Sequence, residues 1–325
     1  MDSLLETHFK KAYKHIIESH NIYIASHVQP DGDNIGSMLS LGMALKKLNK
    51  NVYFLKSDDI PSDYLFLPNI DLIKDYSIFD EIELFIALDS SDEGRLGKNK
   101  DFLTKAKLII NIDHHVSNTN FGHINIVDKD ASSTGELIYD FIKYMNISID
   151  EDIATCLYTA LSSDTGSFMY DNTSAKTHEI AAELIRVGID KGKININLYQ
   201  NKSLERTKLF IKTMDNLELY FDNKVALAKI SQEMLEDCNA KMEDSEGIIS
   251  YIRDIAPVEI AILLKEFNES EIKVSMRSKR YIDVAKICSV FGGGGHIRAA
   301  GCTINDTLDR ARTLIIKEIK GLLGD

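Results

Sequence analysis

Three short, largely apolar runs occur in the first 115 residues of the chain, at 21–26, 84–88 and 108–112. Short apolar runs of this length are typical of strands that are buried on both faces of a parallel sheet. Each run stops where side chains with carboxylate or imidazole donors begin. The first is followed by His27, Asp31 and Asp33, the second by Asp89, and the third by Asp113, His114 and His115.

Segments with helical spacing of apolar residues alternate with these runs. Asp33 and Asn34 are suited to capping a helix that begins near Ile35, and Gly188 is a typical residue at a helix end. The alternation predicts an α/β fold with a doubly wound, mostly parallel sheet. The predicted helices cover 4–20, about 35–48, 133–144, 151–161 and 174–187, and a further strand covers 51–55.

A different pattern follows the helix that ends at Gly188. Residues 189–202 are polar without a clear period, and a helix is predicted over 203–215. Beyond it, two apolar segments flank Asp222-Asn223, which predicts a β-hairpin. The predicted division is a metal-binding domain at 1–188, a partly helical linker at 189–215, and a smaller α/β domain across a cleft at 216–325. Its predicted strands are 217–221, 224–228, 258–267 and 271–277, and its predicted helices lie near 242–254, 282–290 and from Thr307 onward.

Composition and charge limit the kinds of molecule that the chain is expected to bind. The chain has 325 residues, enough for two domains of ordinary size, and no apolar stretch approaches the roughly 20 residues that span a bilayer. We therefore expect no membrane segment. The formal net charge of −12 argues against binding to long duplex DNA, whereas a short RNA or DNA oligonucleotide or a small nucleotide can be held by a few local cations.

Four cysteines lie far apart and form no Cys-x-x-Cys pair: Cys156, Cys238, Cys288 and Cys302. The N-terminus also lacks the basic start and apolar core of a signal peptide. These features predict reduced thiols in a cytoplasmic protein. They do not fix the oligomeric state, and a homodimer stays open.

The donor side chains are expected to converge, because the carboxyl ends of parallel strands meet at one edge of a sheet. Four converging carboxylates repel each other and raise their own pKa values unless two divalent cations balance their charge. Mixed imidazole and carboxylate donors favour Mn²⁺, with Co²⁺ or Mg²⁺ as substitutes. We expect Asp89 to bridge the two ions. The predicted ligands are His27, Asp31 and Asp89 for one ion, and Asp33, His114 and Asp164 for the other.

Such a site predicts phosphoester hydrolysis. Two ions roughly 3.5–4 Å apart hold a hydroxide and clamp a phosphate for in-line attack, so no side-chain nucleophile is required. His115 is expected either to contact the phosphate or to protonate the leaving oxygen, and the sequence leaves these alternatives open. Asp113 is expected to orient a histidine imidazole and not to bind a metal ion itself.

A glycine-rich segment near the C-terminus is a second candidate site. Consecutive glycines allow backbone N–H groups to approach an anion closely. His296 adds a hydrogen-bond donor and Arg298 a fixed positive charge, while Arg277 and Ser278 lie near the end of a predicted strand. We expect all of these residues to bind substrate, together with the four glycines Gly292, Gly293, Gly294 and Gly295.

Four stretches resemble the four motifs of the DHH phosphoesterase superfamily, namely 27–37, 89–92, 113–115 and 163–168. The segment 291–301 is similar to the substrate-binding motif of the DHHA1 domain, which accompanies DHH domains in many nucleotide hydrolases. Together the two resemblances cover nearly the whole chain. They imply the same six metal ligands.

The arrangement of the motifs resembles the bacterial nanoRNase and pAp-phosphatase group. This resemblance implies hydrolysis of very short oligoribonucleotides and removal of the 3′-phosphate from 3′-phosphoadenosine 5′-phosphate (pAp). The alternative is a phosphodiesterase for cyclic di-AMP or its linear product pApA, on which some relatives act. The glycine segment disfavours an inorganic pyrophosphatase, and the complete ligand set disfavours a non-catalytic nucleotide sensor.

Two positions depart from the pattern of the family. Asn34 stands where relatives mostly have Ala, and we expect this difference to be silent. Met169 stands where many relatives carry Arg, so one contact to the substrate phosphate is left without a residue.

Overall fold

The computed structural model describes residues 3–77 and 81–323. Contacts among Cα atoms divide the chain into two compact units, Met1–Asn201 and Lys202–Asp325. The boundary between them falls inside the segment 189–215, which the sequence assigns to a linker.

The first half of this segment packs in the core of the first unit, and the second half packs in a core of the second unit. Ile194 and Leu198 are buried in the core of the first unit, where Lys191–Asn195 is helical and Ile196–Gln200 forms one π-helical turn. Leu209 lies on the helix that opens the second unit and is buried there. Each half therefore belongs structurally to one unit.

A six-stranded parallel sheet forms the centre of the first unit. Its strands are β1 (Asn21–Ser26), β2 (Asn51–Leu55), β3 (Ile73–Lys74), β4 (Ile82–Leu88), β5 (Ala106–Asp113) and β6 (Ile124–Val127). They are ordered β3-β2-β1-β4-β5-β6, so the chain winds outward from β1 first in one direction and then in the other. The parallel α/β fold expected from the sequence is confirmed. Open sheets of this kind bind ligands beyond the strand ends where the winding reverses, here between β1 and β4.

Helices cover mainly one face of this sheet. They are α1 (Ser3–Glu18), α2 (Gly32–Lys47), α3 (Thr134–Tyr144), α4 (Glu151–Asp164), α5 (Ala175–Val187) and α6 (Lys191–Asn195), with 3₁₀ segments at Ser62–Tyr64, Ile70–Leu72 and Glu93–Lys105. Apolar residues from α1 to α6 and from the strands make up the main core on this face. On the opposite face, Tyr23 and Phe85 pack with Phe102 of the 3₁₀ segment in a smaller core.

Helix α2 begins three residues earlier than the sequence pattern indicates. Asp31 caps it, since its side chain accepts a hydrogen bond from the backbone N–H of Asn34 at 3.0 Å. The prediction that Asp33 and Asn34 form the cap is therefore wrong. Both side chains are buried inside the first turn instead. This displacement directs Asp33 toward the strand ends.

The second unit contains a mixed six-stranded sheet in the order β11-β12-β10-β9-β8-β7. Its strands are β7 (Glu218–Tyr220), β8 (Val225–Ile230), β9 (Ile260–Asn268), β10 (Glu271–Ser278), β11 (Gly294–His296) and β12 (Ala299–Ile304). Strands β8 and β9 are parallel, and the other neighbours are antiparallel. The predicted hairpin is confirmed as β7 and β8, with left-handed backbone at Asp222 and Asn223 in its turn.

Helices cover both faces of the second sheet. They are α7 (Leu204–Asp215), α8 (Gln232–Cys238), α9 (Ile248–Asp254), α10 (Val284–Val290) and α11 (Leu308–Leu323), with a 3₁₀ turn at Met242–Ser245. Helices α10 and α11 bury one face, and α7, α8 and α9 bury the other. Within the described residues, none of the helices combines the length and the hydropathy that crossing a bilayer requires.

Candidate metal centre

Three neighbouring strands carry predicted ligands to one edge of the first sheet. His27 directly follows β1, Asp89 follows β4, and His114 follows β5, and these three strands lie side by side. Asp33 lies in the first turn of α2, and Asp164 is the last residue of α4. The strand ends and the two helix ends therefore meet at one place.

Close packing of α2 on α4 brings Asp33 near Asp164. A Cβ atom at Gly36 would lie only 2.4 Å from the carbonyl oxygen of Cys156 and 3.0 Å from Cβ of Ala160. The two helices approach this closely because position 36 has no side chain.

The first group of donor atoms comes from His27, Asp31 and Asp89. Nε2 of His27 lies 3.2 Å from Oδ2 of Asp89 and 3.7 Å from Oδ2 of Asp31. One donor atom from each of the three residues lies within 4.8 Å of the others, so the group has the size of a metal site.

The second group comes from Asp33, His114 and Asp164. Nε2 of His114 lies 3.4 Å from Oδ2 of Asp164 and 3.8 Å from Oδ2 of Asp33. These donor atoms also lie within 4.8 Å of one another. The two groups match the two sets of ligands that the sequence predicts.

Asp89 lies between the two groups and presents one oxygen to each. Oδ2 faces His27, whereas Oδ1 lies 3.8 Å from Nε2 of His114. The Asp89 backbone adopts a left-handed conformation with φ of 52°, which Asp tolerates better than most residues. This turn at the end of β4 aims the carboxylate along the sheet edge.

The centre is electrostatically strained when no cation balances its carboxylates. Burial, together with the charges of Asp89, Asp164 and Asp31, raises the pKa of Asp33 well above its ordinary value. Burial also raises the pKa of Asp164 to about 6. Burial and the neighbouring carboxylates thus disfavour the ionised form of these groups, and divalent cations would remove the strain. The donor set therefore fits the metal ions that the sequence predicts.

Backbone carbonyls orient both imidazoles of the two groups. Nδ1 of His27 lies 2.7 Å from the carbonyl oxygen of Val28, and Nδ1 of His114 lies 3.3 Å from that of Ala131. A proton on each Nδ1 satisfies these contacts, so each Nε2 would be the atom that binds a cation placed between the imidazole and the carboxylates.

His115 lies beside the second group and is held by Asp113. Nδ1 of His115 lies 2.7 Å from Oδ1 of Asp113 and 3.7 Å from Oδ1 of Asp89. The hydrogen bond with Asp113, and the charges of Asp89 and Asp113, raise the pKa of His115 to about 9 despite its burial. Asp113 is fully buried and also accepts from Nδ2 of Asn118 at 2.6 Å. Asp113 thus contacts an imidazole, as the sequence predicts, and belongs to neither of the two donor groups.

The N-terminus of α3 is part of the site and was not identified from the sequence. The backbone N–H groups of Thr134 and Gly135 donate to the carboxylate of Asp33 at 2.7 and 2.8 Å. The hydroxyl of Thr134 donates to Oδ1 of Asp89 at 2.9 Å. The available signal was the Ser-Thr-Gly sequence at a helix start, but nothing in it indicates which carboxylates it meets.

Asn34 makes contacts that an alanine could not make. Its Oδ1 accepts from the Ser26 hydroxyl at 2.5 Å, and its Nδ2 donates to the His27 carbonyl oxygen at 3.0 Å. Both contacts hold the end of β1, where His27 begins. The expectation that this difference is silent stays a prediction, and the two hydrogen bonds give Asn34 a structural role at the end of β1. Met169, the other departure, lies in the loop after α4 and is 77% exposed.

The glycine segment of the second unit is partly a strand. Gly294–His296 forms β11 and pairs with β12. A Cβ atom at Gly293 would lie 2.2 Å from the carbonyl oxygen of Gly301, and one at Gly295 would lie 2.5 Å from that of Ala299. By contrast, a Cβ at Gly292 or Gly294 would meet nothing within 4 Å. Packing alone therefore accounts for Gly293 and Gly295.

Arg277 and His296 lie at the same level of this sheet. Ala299 of β12 pairs with Arg277 of β10 on one side and with His296 of β11 on the other. Side chains of directly paired residues lie on the same face of an antiparallel sheet. This face is opposite to that of the buried Met276 and Ala300. The register thus brings two of the predicted substrate-binding residues together.

Ser278 and Arg298 have structural partners. The Ser278 hydroxyl is buried and donates to the carbonyl oxygen of Ile282 at 2.6 Å. Nη1 of Arg298 donates to the carbonyl oxygen of Lys279 at 2.8 Å. These bonds fix the connection between β10 and α10, so Ser278 does not present its side chain to a ligand.

Lys265 is a candidate that the sequence analysis missed. It lies on β9 opposite Lys273, and its pKa is lowered by burial and by the charge of Arg277. Across 3–77 and 81–323, its ammonium group has no ion pair or hydrogen bond. The charge of the Glu246 carboxylate partly offsets these effects on the pKa, and this partly buried cation near Arg277 is a candidate for binding an anion.

Two family models match the chain. One, described as the DHH family, N-terminal domain, matches residues 21–161, and the other, the DHHA1 domain, matches 222–324. A relative from Thermus thermophilus, named bifunctional oligoribonuclease and PAP phosphatase NrnA, is 32% identical over 306 residues, or 92% of this chain and 89% of the relative. The chain belongs to the DHH family. As a DHH protein it is a hydrolase that acts on phosphate esters.

Two further DHH relatives support this assignment. A Bacillus subtilis protein with the same name is 27% identical and matches 87% of this chain and 89% of its own length. The crystal structure of an exopolyphosphatase-related protein from Bacteroides fragilis is similar with a TM-score of 0.91 at 29% identity, covering 97% of this chain and 96% of that one. The similarity in each case extends over both units.

Proposed function

We propose that this DHH protein is an Mn²⁺-dependent phosphoesterase that hydrolyses short oligoribonucleotides and pAp. The single observation that carries the proposal is the position of Asp89, whose two carboxylate oxygens face two separate groups of metal donors. Shared carboxylates of this kind are typical of two-metal phosphoesterase sites. The names of the relatives supply the substrate class.

The six predicted ligands would hold two Mn²⁺ ions. His27, Asp31 and one oxygen of Asp89 are assigned to the first ion. Asp33, His114 and Asp164 are assigned to the second, and the other oxygen of Asp89 lies beside them. When bound, the two cations neutralise the phosphate and make a water nucleophilic near neutral pH.

His115 and Asp113 are assigned to the substrate side of the centre. Asp113 accepts the Nδ1 proton of His115, so the opposite ring nitrogen of His115 is the one available to a phosphate or to the leaving oxygen. His115 is therefore the proposed catalytic residue, and Asp113 is the residue that positions it.

The second unit is proposed to bind the nucleotide. Arg277 and His296 share one level of its sheet, and Lys265 adds a cation on the same face. The exposed Gly294 leaves space for a phosphate beside the backbone, whereas the N–H of Gly292 already donates to the carbonyl oxygen of Ser289 at 3.0 Å. This local positive charge allows a chain with a net charge of −12 to bind an anionic substrate.

The test is a product analysis with Mn²⁺ and five substrates: a diribonucleotide, pAp, pApA, cyclic di-AMP and pyrophosphate. We expect mononucleotides from the diribonucleotide and AMP from pAp. Faster turnover of cyclic di-AMP or pApA would replace the proposal with the alternative phosphodiesterase. Turnover of pyrophosphate alone would contradict a nucleotide substrate.

A length series of labelled oligoribonucleotides tests the preference for short substrates. We expect the rate to fall as the chain becomes longer, because the proposed binding face offers only a few cations to the phosphates. A rate that rises beyond about 10 nucleotides would contradict this part of the proposal, since affinity would then grow with every added phosphate.

A further inference from the structure

Thr134 contacts two of the carboxylates that lie beside His114, those of Asp33 and Asp89. Its hydroxyl donates to Oδ1 of Asp89 at 2.9 Å, and its backbone N–H donates to Oδ2 of Asp33 at 2.7 Å. The same two oxygens each lie 3.8 Å from Nε2 of His114. Thr134 itself is fully buried. One residue therefore fixes the two carboxylate oxygens that complete the second donor group.

In the first donor group, Thr134 contacts only Asp89, and it does so through the oxygen that faces the second group. Oδ2 of Asp89 faces His27, and Asp31 is held by the N–H of Asn34 instead. The hydroxyl of Thr134 is thus directed to only one of the two Asp89 oxygens. Its removal would leave the contacts of His27 and Asp31 in place and would release the Asp89 oxygen that faces the second group.

The surroundings of Thr134 keep its hydroxyl in place. Ser133 caps α3 by accepting from the N–H of Glu136 at 3.1 Å, so Thr134 is the first helical residue. Glu136 is buried and accepts from the hydroxyls of Ser132 and Thr177. The α3 N-terminus is therefore anchored on both sides and cannot follow a carboxylate that rotates away.

We propose that Thr134 is the positioning residue that makes Asp89 a shared ligand, and that its hydroxyl is required for binding of the second cation but not of the first. This inference rests on the proposed two-metal function. It assigns separate roles to the backbone and the side chain of Thr134. The backbone N–H orients Asp33 in any variant, whereas the hydroxyl orients Asp89. Hydrogen-bond partners of metal ligands commonly change metal affinity by 10–100-fold when they are removed.

Isothermal titration of the metal-free full-length protein with MnCl₂ tests the proposal. In Thr134→Val, which keeps the shape of the side chain but removes its hydroxyl, we expect one of the two binding steps to lose at least about 10-fold in affinity. The other step should stay within about threefold of the wild type. Thr134→Ser, which restores the hydroxyl, should recover both steps.

Ser133→Ala is the matched control. It removes a buried hydroxyl from the adjacent position and weakens the cap of α3, but the Ser133 side chain does not contact a carboxylate of the centre. We expect a lower unfolding temperature with both Mn²⁺ affinities unchanged. Equal loss of Mn²⁺ affinity in Ser133→Ala and Thr134→Val would show that α3 acts only through its stability, and would overturn the proposal.

Two further outcomes separate this inference from the proposed function. Wild-type affinities for both ions in Thr134→Val would refute the role of Thr134, even if the wild type hydrolyses pAp. Conversely, selective loss of the second ion in this variant would support the role of Thr134, even if no nucleotide tested proves to be a substrate. Equal loss of both binding steps would contradict the directed contact to Oδ1.

Discussion

At the scale of single residues, the metal centre combines burial with like charge. Asp33 and Asp89 are almost completely buried, and Asp164 and Asp31 lie close to them. Hydrogen bonds from the start of α3 and the neighbouring imidazoles stabilise part of the negative charge of these carboxylates. The pKa of Asp89 is held at about 2, because its contact with His27 and the charges of the three histidines outweigh the effect of its burial. Asp89 is therefore the residue on which both donor groups depend.

The substitution Asp89→Asn tests this dependence. It keeps the size of the side chain but removes the charge shared by the two groups, so we expect hydrolysis to fall by more than about 100-fold. The measurement is kcat with saturating Mn²⁺. Asp92→Asn is the control, because Asp92 follows the same strand but caps the next 3₁₀ segment. Near-normal turnover in Asp89→Asn would remove the bridging assignment.

Asn34→Ala is expected to destabilise the protein, because Asn34 makes two buried hydrogen bonds. The change leaves the buried hydroxyl of Ser26 and the carbonyl of His27 without their partner, which costs about 1–3 kcal/mol in the free energy of unfolding. Urea denaturation measures this. Asn51→Ala, at an exposed asparagine, should change stability by less than about 0.5 kcal/mol. Equal stability of Asn34→Ala and the wild type would show that the two bonds contribute nothing.

Lys265→Gln and Arg277→Gln are expected to weaken substrate binding without changing the metal centre. Each removes one cation from the proposed binding face, so we expect KM for pAp to rise roughly tenfold. Mn²⁺ affinity, measured by titration, should stay the same, because both residues belong to the second unit. Lys317→Gln, at an exposed position on α11, is the control. Unchanged KM in Lys265→Gln would exclude this residue from the binding face.

At the scale of secondary-structure elements, the predictions succeeded where the pattern is long and failed where contacts are distant. The three apolar runs are β1, β4 and β5, and parallel strands place their ends together, which explains why the convergence of His27, Asp89 and His114 could be predicted. Strands β3 and β6 were missed because they have only two and four residues. Strands β11 and β12 were missed because the glycine segment lacks an apolar alternation.

The contact between α3 and Asp33 could not be predicted. Thr134 and Asp33 are 101 residues apart, and only the tertiary fold places one beside the other. The start of α2 was misplaced for a local reason. Asp31 and Asp33 are equally good caps in isolation, and the choice of Asp31 follows from the need to direct Asp33 into the centre.

Gly293 and Gly294 allow a packing role of the glycine segment to be tested separately from a role in binding. In Gly293→Ala, a Cβ would lie 2.4 Å from Cβ of Cys302, so we expect a loss of about 1–3 kcal/mol in stability from overpacking. In Gly294→Ala the Cβ meets open space and the backbone is not left-handed, so stability should be near that of the wild type. Thermal unfolding measures both variants. Equal destabilisation would contradict the pairing of β11 with β12.

At the scale of the whole molecule, ionisation of the buried carboxylates destabilises the first unit, and bound cations would offset this loss of stability. The raised pKa values of Asp33 and Asp164 mean that the metal-free fold favours their protonated forms. Their contribution to stability is therefore complete at low pH and is lost as pH rises through the folded pKa, which is about 6 for Asp164. The stability of the unit and its capacity for metal thus depend on the same side chains.

Chelation should make this dependence visible. Between pH 5 and 7.5, we expect the free energy of unfolding of the metal-free protein to fall by on the order of 1–3 kcal/mol. Saturating Mn²⁺ should remove the fall, since cations bind the ionised carboxylates of the folded state. Urea denaturation at both pH values, with EDTA or with Mn²⁺, measures the difference. A metal-free protein that becomes more stable over this range would contradict the assigned directions of the pKa shifts.

The most direct measurement is an anomalous difference map at the manganese absorption edge from a crystal grown with excess Mn²⁺. We predict two peaks roughly 3.5–4 Å apart, one among His27, Asp31 and Asp89 and the other among Asp33, His114 and Asp164, with Asp89 between them. A single peak, or two peaks that do not both contact Asp89, would contradict the central claim.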